Sequence, residues 1–218
     1  GACHTGKNFA GADIEEEYLR GGVLEDWHAP NIRGGNNGGI SHWSEDEIVE
    51  FLASGRTAHT AAMSRMGEVV VLSTQHMAES DLRAMAIYLK SIDDDARPTA
   101  DRPDESVMDA GAAIYFDNCA ACHATDGSGA PGIFAPLDGS NKINSDDPTT
   151  IIRLVLEGAQ AVPTNTYPGP LGMPAFDWKL SDQQIADLLS YVRSSWSNNA
   201  APVTAGEVAD LREALEEH

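Results

Sequence analysis

Five consecutive residues, Cys119-Ala120-Ala121-Cys122-His123, place two thiols and an imidazole at a spacing that suits one chemistry. C-x-x-C-H is the pattern by which two thiols add across the vinyl groups of haem. The His that follows is then carried beneath the iron as its proximal ligand. A zinc site would want a second Cys/His pair nearby, and a dithiol redox site would want a thioredoxin-like βαβ setting. The sequence around the motif has neither. The chain opens on Gly1-Ala2-Cys3-His4, which reads as the last four residues of a second such motif. Its first Cys would lie just before residue 1. Cys3, Cys119 and Cys122 are the only cysteines, so two haems would use all three and no disulfide is expected.

Iron that carries electrons commonly takes a second strong ligand opposite the His, and a thioether raises its potential. Met173, in Gly172-Met173-Pro174-Ala175-Phe176, lies in an aperiodic stretch between two helical patterns, where a core role is hard to justify. Near the first motif Met63, Met66 and Met77 compete. Met66, followed by Gly67-Glu68-Val69-Val70, is preferred, with Met63 as the alternative. Met77 and Met85 fit packing roles near or on the next helix, and Met108 precedes its motif on the wrong side. His28, His42, His59, His76 and His218 do not recur between the two halves, which disfavours paired-His ligation. Pro30 and Pro136 are expected either to present carbonyls to the Nδ1–H of His4 and His123, or simply to form turns. Trp43, Arg56, Tyr167, Trp178 and Trp196 are candidates to line a haem or bond its propionates, with packing as the competing role for each.

The elements that must hold these residues occur twice. Ser44-Glu45-Asp46-Glu47 is a capping box that predicts a helix through Ser54, stopped by Gly55. Asp147-Pro148 predicts its counterpart, with Asp147 as N-cap and a stop at Gly158, 103 residues after Gly55. Helical periods cover 80–91 and 181–194, and Tyr88 and Tyr191 are again 103 apart. The order His, Pro, helix, Met, helix therefore appears twice. Between the copies, Asp93 to Asp104 is charged, Pro-bearing and aperiodic, as a linker is. The second copy has a further helix, roughly Ser106 to Asn118. Gly111 and Tyr115 lie on one face of it, and Tyr191 is the expected partner where helices cross. Thr204-Ala205-Gly206-Glu207 opens a short tail helix with an apolar stripe of Val208, Leu211 and Leu215.

The 218 residues carry 34 acidic and 14 basic side chains, a net charge of −20. Such a surface repels nucleic acid and anionic membranes and suits a partner with a basic docking face, or a saline setting. No run of 18 apolar residues is present, so no transmembrane span is expected. Thioether attachment of haem is extracytoplasmic chemistry, so export and a periplasmic location are expected.

The first copy resembles the second haem domain of the three-haem cytochrome c subunit of membrane-bound alcohol, gluconate and sorbitol dehydrogenases. The residues carrying the resemblance are Ala2-Cys3-His4-Thr5-Gly6, Trp27-His28-Ala29-Pro30-Asn31, Gly39-Ile40-Ser41-His42-Trp43, Met66-Gly67-Glu68-Val69-Val70 and Asp81 to Lys90. The second copy is similar to that family's third domain through Cys119 to His123, Met173-Pro174-Ala175-Phe176 and Tyr191 to Trp196. The resemblance implies Met66 and Met173 as axial ligands, and a catalytic partner subunit bearing pyrroloquinoline quinone or flavin. Relative to that family the chain lacks the first domain and half of the first motif.

The expected fold is all-α, two tandem class I cytochrome c domains. Residues 1–92 form the first, 93–105 a linker, 106–199 the second and 200–218 a tail with a short helix. The expected function is electron transfer through two covalently bound c-type haems, from a dehydrogenase subunit to quinone or a terminal oxidase. A free-standing two-haem shuttle and a haem peroxidase are the rivals. No nucleophile–base pair stands out, so no catalytic residue is assigned.

Overall fold

The computed structural model describes residues 2–37, 39–95, 99–169 and 172–217. Gly1 of the opening motif, 96–98 of the linker and His218 lie outside them. The chain folds mostly into helices, and these gather around two apolar cores.

In the first half a short ribbon comes first, β1 (Gly22–Leu24) antiparallel to β2 (Trp27–Ala29). Three helices follow, α1 (Glu45–Ser54), α2 (Ser64–Leu72) and α3 (Glu79–Lys90). The Ser44–Glu47 capping box is formed in both directions. Gly55 ends α1 at φ 75°, a left-handed conformation that glycine adopts without a side-chain clash. Ile48, Val49 and Leu52 recur at helical spacing and meet Leu82 and Ala86 of α3, with Ile40 and Trp43 closing the core. Met77 and Met85, expected to pack, are 36% and 37% exposed instead. Asp94 is not free linker: Arg20 and Arg33 both pair with it, at 2.8 and 3.5 Å.

The second half begins with α4 (Glu105–Asn118), followed by the single turn α5 (Ala120–His123) and α6 (Thr149–Glu157). Asp147 caps α6 as predicted, accepting from Thr149 N–H at 2.8 Å, but Pro148 occupies the cap position itself. A second ribbon, β3 (Ala159–Gln160) against β4 (Gly172–Met173), precedes α7 (Asp182–Arg193). The two short ribbons are additions to an otherwise helical fold. Both are too short to show a strand period in the sequence. α8 (Ala205–Glu216) lies on α6 and α7, with Val208 fully buried and Leu211 nearly so. Each large aliphatic side chain buried in this core contributes about 1.5–3 kcal/mol. Arg193, also buried, donates to the carbonyls of Ala201, Ile143 and Ser145 and so ties α7 to the loop ahead of α6.

The halves meet along a polar seam. His28 N–H donates to Thr150 Oγ1 at 2.9 Å, and the Thr150 hydroxyl donates back to His28 O at 2.8 Å. Arg153 reaches the carbonyls of Glu25 and Asp26 and lies 4.4 Å over the Trp27 ring. The Thr164 hydroxyl donates to Ser54 O, and Val162 fills the space beside Gly67.

α4 and α7 form the most extensive helix pair. A Cβ built on Gly111 would overlap Asp187 O and stand 2.5 Å from Tyr191 Cβ. We therefore expect Gly111→Val to destabilise the second half by about 1–3 kcal/mol through overpacking, while thioether-bound haem stays attached. A thermal melt equal to wild type would show that the crossing tolerates a side chain.

Candidate functional site

The second motif is shaped by one helical turn. Cys119 ends α4, its N–H bonded to Tyr115 O at 2.8 Å. The amides of Cys122 and His123 both return to Cys119 O, at 3.1 and 2.9 Å. Thiols three apart on such a turn share a side, and the His that follows is rotated beside them. All three cysteines are unpaired. Burial pushes the Cys119 thiol up to about 11, so it is held as a neutral thiol.

His123 Nδ1 lies 2.9 Å from Ala135 O, and His4 Nδ1 lies 2.7 Å from Pro30 O. A carbonyl only accepts, so in both rings Nδ1 carries the hydrogen and Nε2 presents its lone pair. Burial lowers the pKa of both, and the bond to the carbonyl only partly offsets this. Both rings are thus neutral and basic at Nε2, as a metal ligand must be. Pro30 has the predicted role. Pro136 does not: the accepting carbonyl is that of Ala135, one residue earlier. The Ala-Pro pairs of the two copies look equivalent in sequence, but the chain reaches each His with a different register.

Met173 sits on β4, half-buried against the second core together with Phe176 and Leu137. Met66 is the third residue of α2, half-buried against the first core. Met63 caps α2, and it lines one cavity with Met173 and Trp27 between the halves. Among the other histidines, His28 Nδ1 meets Ser145 Oγ at 3.0 Å, His59 Nε2 meets Glu47 at 2.6 Å, and His76 bonds Val71 O. Trp196 stacks edge-on to Tyr115 and Tyr191 and covers Gly127, a packing role, whereas Trp178 is 79% exposed.

The donor set fits haem. Two thiols and a neutral imidazole stand on one turn, beside half-buried Leu137, Met173 and Phe176 that a flat apolar ring would cover. In the first half, Trp43 Nε1 and Arg56 Nε are buried with no hydrogen-bond partner. Buried donors are rarely left unmade, and a propionate would satisfy both. The sequence offered no signal for two further contacts. Tyr115 Oη donates to Ala124 O at 2.5 Å, and Lys142 reaches across the seam to the first half. Both join residues whose proximity only the fold creates.

Residues 108–196 match the cytochrome c family. The chain is 40% identical over 230 residues to the cytochrome c subunit of the quinone alcohol dehydrogenase of Gluconobacter oxydans, covering 97% of this chain and 48% of that protein. It is also 40% identical over 235 residues to the gluconate 2-dehydrogenase cytochrome c subunit of Pantoea cypripedii, covering 97% and 53%. Cytochrome c-552 of Thermus thermophilus is 33% identical over 113 residues, covering 47% of this chain and 83% of that protein. The chain spans about half the length of the two dehydrogenase subunits. Among the described residues no helix is long and apolar enough to cross a membrane.

Ala124, directly after the motif, has φ 61°, an uncommon conformation for a residue with a side chain. The Tyr115 hydroxyl holds its carbonyl. Tyr115→Phe is expected to lower stability by about 1 kcal/mol, the net worth of one hydrogen bond, without loss of haem. Equal denaturation midpoints for the two proteins would count against this bond.

Proposed function

Because the chain belongs to the cytochrome c family, and so binds haem c covalently, we propose that it transfers electrons through two such haems, one in each half. The observation carrying this reading lies outside the stretch that matches the family. His4 repeats the arrangement of His123, a half-buried imidazole whose Nδ1 is bonded to a main-chain carbonyl after an Ala-Pro or at its Ala. An unattached surface histidine needs no such support. When bound, haem supplies reversible one-electron exchange at its iron. The chain does the rest. Cys3, Cys119 and Cys122 hold the macrocycles, His4 and His123 offer Nε2, and Met66 and Met173 are the thioether ligands. The apolar cores behind them exclude water. Each half is then a cytochrome c domain, with boundaries near 1–92 and 106–199.

The dehydrogenase cytochrome subunits that this chain resembles favour the same place for it. It would accept electrons from a catalytic quinoprotein or flavoprotein subunit on the periplasmic side and pass them to quinone or a terminal oxidase. Its charge of −20 suits a basic docking face on such a partner. Copurification with a large subunit would favour this role over that of a free shuttle.

A pyridine haemochrome assay is expected to give two haems per chain, and a value of one would defeat the proposal for His4. Met173→Ala and Met66→Ala are each expected to abolish the sulfur-to-iron charge-transfer band of one haem and to lower its potential, because the thioether favours reduced iron. An unchanged spectrum excludes the residue. If Met66→Ala is silent, Met63 is the next to test.

A further inference from the structure

The turn that joins α1 to α2 collects hydrogen-bond donors that lack acceptors. Among the described residues three buried side-chain donors have no partner. One, Arg20 Nε, belongs to a guanidinium already paired with Asp94 and Asp95. The other two, Arg56 Nε and Trp43 Nε1, both belong to this turn's surroundings. Arg56 is bridged to Ala61 across the turn, and the Trp43 ring stacks on His59 within it, centroids 6.0 Å apart. Another guanidinium nitrogen of Arg56, Nη2, donates elsewhere, to Gly169 O at 2.7 Å.

Lys142 arrives at the same turn from the second half. Its Nζ donates to Thr60 Oγ1 at 2.9 Å and to Ala61 O at 3.1 Å. Both acceptors are neutral, and an ammonium has a third N–H to place. Among the described residues no charged group offsets its burial, which alone pushes its pKa down to about 8. A half-buried cation without a counter-charge stands out in a chain whose net charge is −20. The backbone that follows it is held, since the buried Arg193 donates to the carbonyls of Ile143 and Ser145. Lys142 is therefore delivered to the first half by the second half's own core.

We propose that Lys142 completes, with Arg56 and Trp43, an anion site for a propionate of the first half's haem, and thereby raises that haem's potential from across the seam. Two cations and an indole N–H are what a carboxylate in a low-dielectric seam requires. Neutralising the propionate removes a negative charge that would favour ferric over ferrous iron. The assignment rests on the two-haem reading.

The test uses the holo chain with Lys142→Gln, which keeps length and a donor but no charge, and Lys142→Arg, which keeps the charge. Haem content is counted first. Potentials are then titrated spectroelectrochemically, in wild-type and Met173→Ala backgrounds; the second substitution lowers the second haem's potential and separates the two transitions. Resonance Raman reads the propionate bending bands. Lys142→Gln is expected to shift the first haem about tenfold toward the oxidised form at fixed potential, about 59 mV for a one-electron couple. Its propionate band should move, the second haem should not, and Lys142→Arg should restore both. With two haems present, an unchanged potential and band in the Gln variant would overturn the proposal. So would a shift on the second haem, or an Arg variant no better than Gln. A band that stays fixed while the potential follows added phosphate would assign the donors to a solution anion instead. One haem per chain would overturn the two-haem reading and this assignment together.

Discussion

Each of the two imidazoles gives its Nδ1 hydrogen to a main-chain carbonyl, and much of the surrounding chain serves to keep that carbonyl still. Pro30 follows β2, which is paired with β1 and bonded through His28 to Thr150. Its ring fixes φ, which removes one of the two rotations that aim the accepting carbonyl. Ala135 is held from the other side. Gly129, at φ 64°, packs so closely on Phe134 O and Ala135 that a Cβ there would collide with both, and Ala130 bridges to Phe134. A ligand nitrogen is only as well aimed as the atom that orients the opposite edge of its ring.

The segment Trp27 to Pro30 has a second duty. One end of it supports His4 and the other is bonded to the second half through His28, Ser145 and Thr150. This part of the seam is thus built from the same residues that fix the first imidazole. Displacing one half would disturb the ring orientation in the other. The seam is mostly hydrogen bonds to neutral groups plus the stacking of Arg153 on Trp27, which resists salt better than exposed ion pairs would.

The local signals in the chain carried far. The capping boxes at Ser44 and Thr204 open helices where their spacing said they would, because a cap is a contact among residues three apart. The Gly111–Tyr191 crossing was legible from one small residue facing one large one. The C-x-x-C-H turn at Cys119 was legible because its chemistry is contiguous. What escaped was set by the fold alone. The carbonyl that serves His123 belongs to Ala135 and not Pro136, a register choice that equal-looking Ala-Pro pairs cannot reveal. The β3–β4 ribbon has two residues per strand, too few for a period. Lys142 stands 81 residues from Ala61, and nothing near it in sequence announces the contact.

Met173 lies on that ribbon, itself paired to Ala159 and its neighbour Gly172 to Gln160, while Met63 on the facing half bridges to Ala161. A sulfur carried on hydrogen-bonded backbone from both directions moves little when the charge beside it changes. The barrier to passing an electron depends on how far atoms must shift between the oxidised and reduced forms, as well as on driving force. Preorganised surroundings lower that barrier because they need no rearrangement at the moment of transfer. With Met173 as the proposed ligand, the ribbon would bear on the speed of exchange rather than on the direction in which electrons run.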